Sequence, residues 1–229
     1  DMSTHVQTWI GHGSIHPKAS SLTSLAGAYV WIDFMSIPQS ASAIEERLAA
    51  ISCITDYISL STHFFVLAGP WKHGTDGSVR DVRAWSCRGW CRLELLSNAL
   101  AHTSKLRPMI VAQSPTDVLA FAPSGLWGRP WFLETVGEGN FTVDSDRYKL
   151  GVVIAALIER RKAVALQSGD FLTWRVLHAR EHALLRGTGQ EPAPPQPLDE
   201  WMKTMRFASE EDGARTGLSP LKFAVMSDR

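Results

Sequence analysis

Short uninterrupted apolar runs alternate along this chain with stretches in which apolar residues return every third or fourth position. Tyr29-Val30-Trp31-Ile32-Asp33-Phe34 is rich in β-branched and aromatic residues and closes on an acid, which predicts a buried parallel strand. Trp31, inside that run, is expected in the core. Ser36-Ile37-Pro38-Gln39 breaks it with a turn, because Pro38 has no amide hydrogen to donate. From Ala43 to Ser59, Ile44, Leu48, Ile51, Ile54 and Ile58 mark one face of a helix. Thr62 to Gly69 reads as a second buried strand, and residues 70 to 85 as a loop containing Gly and Asp. Trp90, Leu93, Leu96, Ala99 and Leu100 form the stripe of a further helix, and Met109 to Ala112 is a third short strand.

Strand, helix, strand, helix, strand in this order predicts crossover connections. The expected fold class is therefore α/β: an open, mostly parallel sheet of flavodoxin-like type with flanking helices, plus a C-terminal helical extension. Ser114 to Val143 holds turn pairs and has room for a short strand or an aromatic plug around Trp127, Trp131 and Phe132. Tyr148 to Gln167 predicts a strong helix with Leu150, Ile154, Leu157 and Ile158 inside and Glu159-Arg160-Arg161-Lys162 solvated. Asp170 to Leu185 predicts another, with Asp170 as N-cap and Gly187 as its stop. The run Glu191-Pro192-Ala193-Pro194-Pro195-Gln196-Pro197 reads as a stiff linker. These signals divide the chain into an irregular segment at 1–27, an α/β domain with its C-terminal helices at 28–187, a Pro-rich linker at 188–199 and a further region at 200–229.

Composition narrows the function classes. The 229 residues carry 23 Lys+Arg against 23 Asp+Glu, so no basic excess draws the chain to nucleic acid. No apolar run reaches the roughly 18 residues of a membrane span, and no secretory leader is recognisable at the start. Cys53, Cys87 and Cys91 are an odd set, which favours free thiols in a reducing, cytoplasmic compartment. Cys87 and Cys91 share a helical spacing, as do His12 and His16, but neither pair has a second pair of ligands, so metal is not expected.

An open parallel sheet places ligands beyond the carboxyl ends of its strands. Asp33 to Gln39, including Ser36, leaves the first strand there, and Gly69-Pro70-Trp71 leaves the second. The loop ending at Gly89 delivers Trp90, Cys91 and Glu94 onto the first turns of the next helix. Trp90 and Glu94 are four apart and share a helical face. An indole beside a carboxylate suits a flat heteroaromatic cation joined to a sugar: the ring stacks, while the acid binds hydroxyls and favours a positive, oxocarbenium-like transition state. On spacing alone, the simpler reading of Glu94 is a first-turn acid stabilised by the helix dipole and paired with Arg88 or Arg92. Asp33 reads either as a site residue or as a cap for the turn that follows it.

Trp90-Cys91-Arg92-Leu93-Glu94-Leu95 resembles the second half of the Ser-x-Trp-Cys-x-x-Glu-Leu motif of Toll/interleukin-1-receptor (TIR) domains. Arg88 stands where the motif has Ser. The closer likeness is to a TIR-like family with "WIDFxSIPQ" and "RGWCRLE", found beside ankyrin repeats. The resemblance covers residues 28 to 112 well and 113 to 185 loosely. It implies a TIR-like fold with Tyr29 to Asp33 as its second strand and His63 to Ala68 as its third. It also implies that Glu94 is the catalytic residue of an NAD⁺ nucleosidase cutting the nicotinamide–ribose bond. NAD⁺ would then be substrate rather than cofactor, with Trp90, Cys91, Asp33, Ser36 and Trp71 around it. TIR domains open with a strand and loop that line the same pocket; Val6 to Ile10, with Trp9 and His12, is the one candidate before Tyr29.

Gly217-Leu218-Ser219-Pro220-Leu221-Lys222-Phe223-Ala224 resembles the opening of an ankyrin repeat. Such units bury their faces on neighbours, so an array selecting protein partners is expected. Two further readings stay open. One is a non-enzymatic scaffold that self-associates through TIR-like surfaces; the other is a domain like those of fungal heterokaryon incompatibility, which shares the strand–acid and Arg-Gly-Trp features.

Overall fold

The computed structural model describes residues 25–101, 109–114, 135–192 and 197–205, and the backbone alone at 14–15 and 118–121. The chain forms two compact units, residues 1–131 and 132–229. Both helices and strands are present, so the class is broadly α/β.

In the first unit the order is β1 (Ser14–Ile15), α1 (Asp33–Ser36), α2 (Ile44–Ser52), α3 (Ile54–Leu60), β2 (Phe64–Leu67), α4 (Val82–Ser86), α5 (Gly89–Leu100), β3 (Met109–Ala112) and β4 (Val118–Phe121). The strands align as β1-β4-β3-β2. β2 and β3 are parallel, with Phe64 opposite Met109 and Leu67 opposite Ala112. β4 is antiparallel to both β3 and β1. The described sheet is thus mixed, with one parallel pair, rather than mostly parallel.

The β2–β3 connection is a crossover through α4 and α5, as the alternating pattern predicts. Asp81 starts α4 by accepting the Ala84 amide at 2.9 Å, and α5 follows directly behind Arg88. Leu93, Leu96 and Leu100 turn inward from α5 and are buried, as are Ile54 and Ile58 on α3, which packs against it. Burying one such side chain contributes about 1.5–3 kcal/mol, so the α3–α5 contact is a main support of the unit.

Several expectations need correction here, among them the loop expected to run to residue 85, which gives way to α4 at Val82 once Asp81 caps it. Tyr29 to Phe34 is not a buried strand: Tyr29 and Val30 are fully and largely exposed, and Asp33–Ser36 is a single helical turn. Its backbone finds local partners instead of a ladder, since the Ile32 amide donates to Ser36 Oγ at 3.1 Å and the Phe34 amide to Asp33 Oδ1 at 2.7 Å. Asp and Ser side chains offer the backbone such alternatives to sheet pairing. Trp31 is accordingly only half-buried, stacked on Tyr57 of α3 with ring centroids 5.2 Å apart. The helix expected over 43–59 is two helices broken at Cys53, and Ile44 and Leu48 are exposed. β2 alternates instead of being buried throughout: Phe64 and Val66 point inward, Phe65 and Leu67 outward.

The second unit is built on α6 (Asp146–Gln167) and α7 (Phe171–Leu185), a packed pair joined through Gly169 at φ +72°. Leu150, Ile154, Leu157 and Ile158 are buried as their spacing predicts, and Asp170 caps α7 by accepting the Thr173 amide at 3.0 Å. α7 stops where Gly187 takes φ +75°. Lys162 is not on a solvated face: it is 8% exposed and its ammonium donates to both oxygens of Glu181 on α7, at 3.0 and 3.2 Å, and to Glu159. α8 (Leu198–Thr204) packs Trp201 and, just past its end, Met205 against Val176 and Ala179. The ankyrin-like octet, the Trp127–Phe132 aromatics and Val6–Ile10 lie outside the described residues. Among those described, no helix is long and apolar enough to cross a membrane.

Candidate functional site

Residues far apart in sequence meet at the start of α5. Trp31 is fixed on Tyr57, α3 packs on α5, and Asp33 follows Trp31 by two positions. This route brings the Asp33 carboxylate into the electrostatic field of Glu94 and Cys91. Arg88, the N-cap residue of α5, adds a positive charge to the same group.

Each charge acts on Glu94 in a definable direction. Burial pushes its carboxyl up, Asp33 pushes it further by like-charge repulsion, and the Arg88 guanidinium partly opposes them, leaving the group at about 7. Glu94 is therefore divided between acid and carboxylate at neutral pH, the condition that suits a group exchanging a proton or meeting developing positive charge. Cys91 lies on the same side of the helix. Burial first and Glu94 second raise its thiol to about 12, so it is an inert neighbour rather than a nucleophile.

The neighbouring loop is held independently. Arg47 reaches back from α2, donating from Nε to the Pro38 carbonyl and from Nη2 to those of Gln39 and Ser40, at 3.0, 3.0 and 2.6 Å. Gln39 Nε2 donates to the carbonyls of Phe34 and Ile37. The turn expected at Ser36 to Gln39 is thus present, ordered by side chains that the apolar pattern does not single out.

Of the residues expected at the site, Asp33, Cys91 and Glu94 are brought together. Ser36 lies one turn beyond Asp33, where its hydroxyl closes that turn on the Ile32 amide. Trp90 is half-buried at the first turn of α5. Trp71 has contacts local to its own loop: its ring lies over Gly69, and its carbonyl accepts the Arg80 amide at 2.8 Å. Gly69 is required there, because a Cβ would come within 2.2 Å of the Gln113 carbonyl just past β3 and 2.6 Å of the Trp71 ring. Beyond it, Asp76 organises the tip of the loop, accepting from the Ser78 amide and hydroxyl, His73 and Arg80. The Ser78 bonds chiefly hold Asp76 at about 2.

One charge has a larger part than the sequence-based site gives it. Arg88 reads there as the residue in the place of the motif's Ser and as an ion-pair partner for a structural Glu94; its N-cap position places it against the first turn, where it acts on the Glu94 carboxyl. Among the described residues no group of three or more His, Cys, Asp or Glu is placed to hold a metal ion. The arrangement is a carboxylate pair tuned by one arginine and flanked by an indole. No family model, no curated protein and no solved structure matches the chain.

Proposed function

We propose that this chain is a TIR-like domain of flavodoxin-like type that cleaves NAD⁺ at the nicotinamide–ribose bond, with Glu94 acting on the ribose. The observation that carries the reading is the Asp33–Glu94 pair, with Glu94 held at about 7 beside Arg88. Leaving of nicotinamide builds positive charge on the ribose ring; an ionised Glu94 in a low-dielectric setting stabilises that charge and accepts hydrogen bonds from ribose hydroxyls. Trp90, on the same flank, supplies a stacking surface for the nicotinamide ring. Water then adds to the ribose carbon as the C–N bond breaks, giving nicotinamide, ADP-ribose and a proton. Since the carboxylate is the active form, turnover rises with pH through about 7.

The test is to incubate the protein with NAD⁺, with and without a crowding agent that promotes assembly, and to follow nicotinamide by chromatography. Release is expected, and it is lost in Glu94→Ala with the circular dichroism spectrum unchanged. Equal release by the variant removes Glu94 from the mechanism, and no release under either condition removes the reaction.

A second reading has its own support. Phe34 and Met35 are 72% and 79% exposed on the α1 turn, beside Ile37 and Pro38. Adjacent exposed apolar side chains of this size suit a self-association surface, as in a scaffold module. On this reading Phe34→Asp dissociates oligomers in sedimentation, and NAD⁺ is never consumed.

A further inference from the structure

Helix α5 carries a flank of polar side chains beside its core side. At about 100° per residue, Gly89, Leu93, Leu96, Ser97 and Leu100 gather on the core side, and Cys91 is buried at its border. Cys91, Glu94 and Asn98 fall within about 60° of one another on the adjoining side. Asn98 Oδ1 is buried and has no hydrogen-bond partner. A buried carbonyl oxygen without a donor is costly, and native structures seldom leave one so.

Glu94 is the titratable neighbour one turn before Asn98, and residues four apart on a helix have Cβ atoms about 5–6 Å from each other. An ionised carboxylate can only accept hydrogen bonds, whereas a protonated carboxyl has one O–H to donate. We propose that Asn98 is a positioning residue for Glu94: its Oδ1 accepts the hydrogen bond of the protonated Glu94 carboxyl and fixes where that proton points. The inference deepens the reading of Glu94 as the reacting group and rests on it for its functional meaning.

The charged and titratable groups around Glu94 are Asp33 from the α1 turn, Arg88 from the N-cap and Cys91 from α5 itself. Asp33 favours the neutral acid and Arg88 the carboxylate. Asn98 adds a directional contribution on the side of the neutral acid. It satisfies an acceptor that is otherwise orphaned, and it turns the carboxyl so that one oxygen faces Asn98 and the other is left for a ligand.

The experiment uses the full chain labelled with ¹³C at the glutamate side-chain carboxyl, titrated by NMR, with the Glu94 signal assigned by its loss in Glu94→Gln. Burial, Asp33 and Arg88 alone place the midpoint near 7, so with the Asn98 contribution added the parent is expected above that value. In Asn98→Ala it falls by about one pH unit, a tenfold weaker hold on the proton. In Asn98→Asp, which keeps an acceptor and adds a like charge, it stays level or rises. An unchanged or raised midpoint in Asn98→Ala overturns the pairing. Should that variant not fold, the infrared C=O band of protonated Glu94 in the parent decides: a hydrogen-bonded acid supports the pairing, a free acid overturns it. Neither readout uses NAD⁺, so an inactive protein whose midpoint responds to Asn98 loses the reaction but keeps the pairing.

Discussion

Replacing Glu94 by Gln should make this protein more stable, and more so the higher the pH. The parent carboxyl sits near 7 in the folded chain against an ordinary 4.5. Between those two values the folded state binds more protons than the unfolded one, so stability falls as pH rises. At about 1.4 kcal/mol per pH unit the loss levels off by pH 8 at about 3.4 kcal/mol; the partial solvent contact of Glu94 trims this to about 2–3 kcal/mol. Gln has nearly the same shape, keeps a donor and an acceptor, and never ionises. Glu94→Gln should therefore match the parent within about 0.5 kcal/mol at pH 4.5 and exceed it by about 2–3 kcal/mol at pH 8. Hydrogen exchange of the buried Leu93 and Leu100 amides on α5 isolates the first unit, since global opening there sets their rates. Parallel pH dependence in parent and variant would refute the burial and Asp33 repulsion on which the site is built. On the proposed reading, that gain in stability comes with a loss of NAD⁺ cleavage, the trade-off expected where a destabilised group performs the chemistry.

Other consequences are equally direct. With its thiol at about 12, Cys91 is ionised to roughly one part in ten thousand at pH 8, so iodoacetamide should leave it unmodified in the folded protein and label it after unfolding, as read by mass spectrometry. Gly151→Ala should destabilise the second unit by about 1–2 kcal/mol in thermal melts despite the better helix propensity of Ala, because the new Cβ would lie 2.7 Å from Thr188 Cβ; a stabilised variant would show that the turn after α7 yields easily. Lys162→Ala should cost about 3 kcal/mol in urea unfolding by leaving Glu181 without its cation in a mostly buried place, while Lys162→Met, which fills the space, should regain part of that loss at pH 5 but not at pH 8. The sign follows from Glu181: burial holds its carboxyl above the ordinary value, so it is more readily neutral at the lower pH.

Much of the secondary structure is written locally. The 3.6-residue stripe of α5, the long α6 and the Asp170 cap with its Gly187 stop are visible because each depends on neighbours within a turn or two. β2 and β3 are visible as short apolar runs, and so is the parallel crossover that joins them. The fate of Tyr29 to Phe34 is not written there. A strand exists only if another strand accepts its backbone, and the same residues close a turn when Asp33 and Ser36 reach the backbone first. The burial of Lys162 likewise depends on Glu181, nineteen positions away on a second helix.

The same division holds at the site. That Trp90, Cys91 and Glu94 share the opening turns of one helix is legible from spacing, because helical geometry fixes neighbours three and four apart. That Asp33 acts on Glu94 depends on long-range packing, through the Trp31–Tyr57 stack and the α3–α5 contact. The tertiary structure alone set the protonation of Glu94, since that depends on burial and on charges brought in from another element. A motif can name the acid, but the proton it carries at neutral pH is a property of the fold.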